Sequence, residues 1–189
     1  MTKTQAGFVV ILLALLSGVA LWTKPEVERP LPVITLESPV ETKPWSVHFS
    51  PHGGVTDALV NEIGRARKSV HVQIYSFTSP AICDALNAAS IRARVVVIVD
   101  ERWNRGSKDM MTDSLAGSVE VYSDSCHPIA HNKIAIIDGK TVCTGSFNFT
   151  RAGEENAENL VILHDKELAE VYEANFQKHL SHSKLWESK

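Results

Sequence analysis

Cysteine is scarce in this chain: three in 189 residues, at Cys83, Cys126 and Cys143. An odd count leaves at least one of them unpaired within the chain or shared with a second chain. Cys126 stands near His127 and His131, which hints at zinc. No second Cys or His pair completes four ligands at the usual spacing, so a metal site is not the expectation. Aspartates do not cluster, which argues against a two-metal phosphoryl-transfer centre. A dominant charge is also missing, with 19 Lys and Arg against 22 Asp and Glu and a net charge of −3. The chain as a whole is therefore no basic nucleic-acid binder, and an anionic partner would have to meet a local patch. No internal repeat is visible.

What is present begins with one long apolar run. Lys3 precedes an unbroken stretch from Ala6 to Trp22. Seventeen helical residues reach about 25 Å, slightly short of a hydrocarbon core of roughly 30 Å. Residues 1–22 fit a secretory signal peptide with small residues at Gly18 and Ala20, or an uncleaved anchor that associates with a membrane through residues 6–22. Both readings export the remainder, to the periplasm of a bacterium or to the outer side of its inner membrane. No Cys follows the run closely, which argues against lipid attachment. Residues 23–44 hold five of the eight prolines and no periodicity, as in a stiff linker. A domain is expected over 45–183, followed by a tail at 184–189.

Within 45–183 strand and helix patterns alternate. "WSVHFS", "SVHVQIYSF", "ARVVVIVD", "VEVYS", "KIAIID", "KTVCTG" and "AENLVILH" read as strands. "ARVVVIVD" is apolar without alternation, as in a strand covered on both faces. Helices are expected over "GGVTDALVNEIGRAR", "PAICDALNAAS", "SKDMMTDSLAG" and "KELAEVYEANFQKHLSH". Asp138-Gly139 marks a hairpin turn. The pattern predicts an α/β fold: one mixed β-sheet sandwiched between helices on both faces.

Residues 130–149, "AHNKIAIIDGKTVCTGSFNF", carry the chemistry. Residues two apart in a strand share a face, so His131 and Lys133 point together. Asp138 has the opposite parity, sits at the turn, and is expected to brace a loop or pair with a cation. The hairpin returns Ser146 and Asn148 to the level of His131 and Lys133. An ammonium, an amide and a hydroxyl beside an imidazole suit a tetrahedral oxyanion, and imidazole can attack phosphorus or carry protons near neutral pH.

His131-x-Lys133-x4-Asp138, then Gly145-Ser146-x-Asn148, then Glu158, resembles the HKD signature of the phospholipase D superfamily, most closely its small single-motif branch of Nuc-type bacterial endonucleases. "YSFTSPAICDAL", "VVVIVDER" and "TGSFNFTRAGEENAEN" are similar to that branch as well. A chance H-x-K-x4-D in a chain this long is roughly a one-in-a-hundred event. His164-Asp165-Lys166 and His182-Ser183-Lys184 are internal controls, since Val171 and Lys189 stand where Asp would be needed.

The resemblance implies a phosphodiesterase that uses two such motifs per active site. One His attacks phosphorus and the other protonates the leaving oxygen. A chain with one motif would then form a twofold homodimer with His131 residues facing across the axis. Lys133 and Asn148 would hold the phosphate oxygens, Ser146 would stand beside them, and Glu158 would orient the imidazole. No metal or other cofactor is implied.

The expected substrate is nucleic acid, DNA or also RNA, with phospholipid hydrolysis as the alternative. A local basic excess over 61–108 supports nucleic acid: Arg65, Arg67, Lys68, Arg92, Arg94, Arg102, Arg105 and Lys108. Arg102, Trp103 and Arg105 are expected on a loop after Asp100 that rims the site and contacts substrate, with Trp103 either stacking on a base or capping the dimer contact. The alternative for Arg65, Arg67 and Lys68 is the solvated end of a helix. His71 reads as a core or edge residue, His48 and His52 as rim candidates, and Trp186 as exposed or docked.

Overall fold

The computed structural model describes residues 43–108 and 110–188. The expectations for residues 1–22, and for most of the 23–44 linker, lie outside the described residues. Among those described, no helix is long and apolar enough to cross a membrane.

Eight strands form one mixed sheet: β1 (Trp45–Ser50), β2 (Ser69–Ile74), β3 (Arg94–Asp100), β4 (Val119–Asp124), β5 (Lys133–Ile137), β6 (Thr141–Gly145), β7 (Glu158–His164) and β8 (Lys184–Leu185), in the order β1-β7-β6-β5-β2-β3-β4-β8. β2, β3 and β4 run parallel, and the other pairings are antiparallel. The central strands bury both faces, and this is why β3 reads as an uninterrupted apolar run. Val95, Val97 and Val99 pack with α1 (Val55–Arg65) and α2 (Pro80–Ser90), while Val96 and Ile98 pack with Ala169 and Phe176 of α4 (Lys166–His182). The expected sandwich is the observed one.

Local chemistry sets the helix ends. Ser79 caps α2 through the Ile82 N–H, with Pro80 in the first turn. Asp165 caps α4 through the Leu168 N–H at 3.0 Å.

Three expectations need correction. The helix expected over 107–117 is only a 3-10 turn at Thr112–Ser114. A helix stands instead at α3 (Glu101–Gly106), because the Asp100 carboxylate accepts the Trp103 N–H at 2.7 Å and starts a turn there. Arg102, Trp103 and Arg105 are therefore helical. The expected tail contains β8, which pairs with β4, and Trp186 docks through its indole N–H to Asp113 at 2.7 Å.

The topology brings one row of chain ends together. β2, β3, β4, β6 and β1 finish at the same end of the sheet at which β5 and β7 begin. Ser50, Glu158, Gly145, Lys133, Ile74, Asp100 and Asp124 lie along it in that order. Residues just beyond these strand ends converge above the sheet.

Candidate active site

Lys133 opens β5 opposite Ile74 and is only 7 % exposed. Its ammonium donates to the His131 carbonyl at 2.7 Å and stands 5.3 Å from the centre of the Tyr75 ring. Burial pushes its pKa below that of an ordinary lysine, and the Glu158 charge partly restores it. His131 precedes β5 and is exposed, with its ring 4.7 Å from Tyr75. Among the described residues its imidazole makes no hydrogen bond, so both nitrogens are available to a substrate or a second chain. Glu158 faces Lys133 electrostatically and accepts from the Asn156 amide at 3.3 Å; within the chain it does not hydrogen-bond His131.

Asn148 borders a groove that Tyr75 and Trp103 also line. Phe147 and Phe149 are fully buried on either side of it. The Phe149 carbonyl accepts from the Thr78 and Ser79 N–H groups at 2.9 and 3.0 Å, which fastens the segment to the start of α2. Emptying either phenylalanine site would cost about 3–5 kcal/mol, so Asn148 is held by strong packing. Its amide oxygen is buried with no partner among the described residues. Such a group costs about 1–3 kcal/mol unless a donor arrives. Ser146 is tied down instead: its hydroxyl accepts from the Asn159 N–H at 3.1 Å, and its own N–H donates to the Asn159 side chain at 3.3 Å. Gly145 permits this close approach, because a Cβ there would lie 2.1 Å from the Asn159 carbonyl oxygen.

Asp138 is not at the site. It caps the opposite end of β5, where its carboxylate accepts from the Arg67, Lys68 and Ser69 N–H groups at 3.0, 2.7 and 3.1 Å. Asp138 and Gly139 both take positive φ, 54° and 65°, as a tight hairpin requires. Burial opposes the charge, but the three donors outweigh it and hold the carboxyl below its ordinary range. Although Asp138 completes the HKD signature, its three backbone partners at the far end of β5 give it the bracing role its parity implies and keep it away from His131 and Lys133.

The basic excess divides in the same way. Arg65, Arg67, Lys68, Arg92 and Arg94 lie at the Asp138 end of the sheet. Arg92 caps α1 by donating to the Ala66 and Gly64 carbonyls, Arg65 pairs with Glu62, and Arg94 pairs with Glu120. Arg102, Arg105 and Lys108 remain at the His131 end. Arg105 pairs with Glu101 at 3.2 Å and lies 4.3 Å from the centre of the Trp186 ring, so it helps dock the C-terminal segment. Arg102 is exposed beside a cavity of about 340 Å³ that Tyr75, Trp103 and Ile129 also line. Trp103 stacks on Tyr75 at 5.1 Å and remains 42 % exposed. On its other side a groove runs past Ser76, Lys108 and Asn148.

Two groups here escaped the sequence reading. Tyr75 is the wall against which His131, Lys133 and Trp103 all rest; its place directly after an apolar strand was the available signal. Burial and the Asp100 charge push its phenol upward. Asp100 spans two elements: one oxygen caps α3, and the other accepts the Ala130 N–H at 2.8 Å, fixing the residue before His131. Of the other histidines, His71 packs on Phe176 and bonds Glu173 at 2.8 Å. His48 contacts Ser46 on β1.

Known proteins resemble this arrangement over most of the chain. Residues 59–180 match the family model described as cardiolipin synthase, PLD-like domain. A phospholipase D from Rickettsia felis is 41 % identical over 133 residues, covering 69 % of this chain and 66 % of that protein. The chain thus spans about two thirds of the length of that relative. A mitochondrial cardiolipin hydrolase from Xenopus laevis is 29 % identical over 162 residues, covering 84 % of this chain and 74 % of that protein. Among solved structures, the phospholipase D family member Nuc from Salmonella typhimurium superposes with a TM-score of 0.72 at 35 % identity, covering 76 % of this chain and 98 % of that one. The family match, joined to an HKD motif whose His and Lys meet at one end of a mixed sheet, makes this chain a member of the phospholipase D superfamily, related to its Nuc-type proteins.

Proposed function

We propose that the protein is a phosphodiesterase that cleaves nucleic acid, DNA or also RNA, through a phosphohistidine in a homodimeric site. The supporting observation is the exposed, unbonded His131 ring beside a buried Lys133, on a Tyr75–Trp103 wall that borders an open groove. A nitrogen of His131 attacks phosphorus, and the phosphorus–oxygen bond to the leaving group breaks. His131 of a second copy gives its proton to the departing oxygen. It then takes a proton from water, whose oxygen displaces the first imidazole from phosphorus. Lys133 and Asn148 from both copies hold the non-bridging oxygens as charge builds. Glu158 supports the Lys133 ammonium and, across the dimer, the charged imidazole. Two fixed ammonium groups supply the countercharge, so the chemical step needs no divalent ion.

Nucleic acid is favoured because Trp103 offers a half-exposed ring for a base, with Arg102 and Lys108 nearby for phosphates. Phospholipid is the second reading. It draws on the names of the relatives and on Ile129, which is 59 % exposed near His131. The apolar run Ala6–Trp22 would place the enzyme outside the cytoplasm, in the periplasm or anchored to the inner membrane.

The test incubates the full chain and its His131→Asn variant with plasmid DNA, with RNA, and with phosphatidylcholine or cardiolipin vesicles. Nicking of plasmid by the wild type alone supports the nuclease reading. Headgroup or phosphatidate release without nicking replaces it with the lipid reading. For the shared site, His131→Asn chains are mixed with Lys133→Ala chains. Full activity of either variant as a pure homodimer refutes the two-chain scheme.

A further inference from the structure

A second polar cluster lies at the end of β4, three strands from Lys133. Asp124 is 1 % exposed, and three imidazoles meet its carboxylate. Nδ1 of His127, Nδ1 of His179 and Nε2 of His182 lie 2.9, 3.3 and 3.4 Å from the same oxygen, Oδ2. The other oxygen is occupied by the Cys126 and His127 N–H groups, at 2.9 and 3.3 Å. The three ring centres are 5.0–5.2 Å apart. One ligand atom from each of the four residues lies within 4.8 Å of the other three.

Three ring nitrogens from two distant elements converge on one buried carboxylate oxygen, an arrangement that suits a cation as well as it suits hydrogen bonds. Each neutral imidazole can offer its lone pair and the carboxylate its charge. Three nitrogens and one oxygen match the donor preference of zinc, and four protein ligands match its structural sites. Tetrahedral zinc requires ligand atoms about 3.4 Å apart, so modest ring rotations close the cluster. The ligands come in two short-spaced pairs, Asp124-x2-His127 on a turn and His179-x2-His182 on α4, a helical spacing that puts both rings on one face.

We infer that Asp124, His127, His179 and His182 form a structural zinc site that fastens the last turns of α4 to the segment carrying His131. That segment, 124–131, is already fixed by Asp124 at one end and by the Asp100–Ala130 bond at the other. The ion acts on stability and on the placement of His131, and has no part in the chemical step. A cavity of about 410 Å³ gives access beside His127. It is also lined by Glu101, Arg102 and Arg105, and the Glu101–Arg105 pair tempers the positive charge there. The exposed Cys126 thiol, 3.6 Å from the His182 carbonyl oxygen, is the nearest competing ligand.

The experiment titrates zinc into the metal-stripped, untagged full chain against a chromophoric chelator, with His179→Gln/His182→Gln and His164→Gln chains beside it. Wild type and His164→Gln should bind one zinc per chain, and the double variant should lose at least about a hundredfold in affinity. At a hundredfold excess over Kd, zinc should raise Tm by about 5–10 °C in the wild type and leave the double variant unmoved. Cobalt should give a tetrahedral visible spectrum without a thiolate charge-transfer band. No zinc binding at micromolar concentrations, or equal affinity in the double variant, overturns the inference. Asp124→Asn is a poorer probe, because that carboxylate also fixes the turn.

Discussion

Replacing Asp138 separates the two ends of the sheet. Its carboxylate receives three backbone N–H groups from the turn between α1 and β2. Each lost bond at this half-exposed position costs about 1 kcal/mol, so Asp138→Ala should lose about 3 kcal/mol. For a domain of this size that lowers Tm by about 6–12 °C. Asp138→Asn keeps one acceptor oxygen and tolerates positive φ, so it should lose about half as much. The folded carboxyl lies below its ordinary value, so its contribution is complete above the unfolded value and disappears as pH falls through the folded one. The wild type should therefore exceed Asp138→Asn most at pH 6, and the gap should close below about pH 4. The assays are thermal unfolding across that pH range and turnover at 25 °C. Turnover should stay within about threefold of wild type, since no reacting group touches Asp138. A hundredfold loss of turnover with unchanged Tm would show that the aspartate belongs to the chemistry, and the bracing argument would fail.

Lys133→Met should lower kcat about 10²–10³-fold while leaving Tm unchanged or higher, because a buried ammonium is replaced by an apolar chain of similar length. The Lys133 pKa is pushed down by burial, so wild-type turnover should decline on the alkaline side before an ordinary lysine titrates, a limb that pH–rate profiles would reveal. Gly145→Ala puts a Cβ 2.1 Å from the Asn159 carbonyl oxygen, so β6 and β7 must part; denaturant unfolding should show a loss above about 2 kcal/mol, with turnover falling alongside. Trp103→Ala should raise KM for single-stranded DNA about 5- to 150-fold with little change in kcat, matching about 1–3 kcal/mol for one stacked base; an unchanged KM would remove Trp103 from substrate binding.

Periodicity and motif spacing determined much by themselves. The unbroken apolar run of β3 implied a strand covered twice, and the Asp138-Gly139 hairpin fixed the register that returns Asn148 toward Lys133. Both are local consequences of strand geometry, which is why they were legible. The α3 helix was missed because one carboxylate, Asp100, caps it from the end of a strand. β8 was missed because two residues have no period. Tertiary structure alone decided which cations stand near His131, because five of the eight basic residues in 61–108 fall at the far end of the sheet. It also decided the fate of the histidines. His127 lacked a companion pair along the chain; His179 and His182 supply it from 52 residues downstream, because α4 packs back across the sheet onto the end of β4. Spacing along a chain records only neighbours within a turn or a hairpin, whereas a ligand set drawn from distant elements exists only once their faces are buried together.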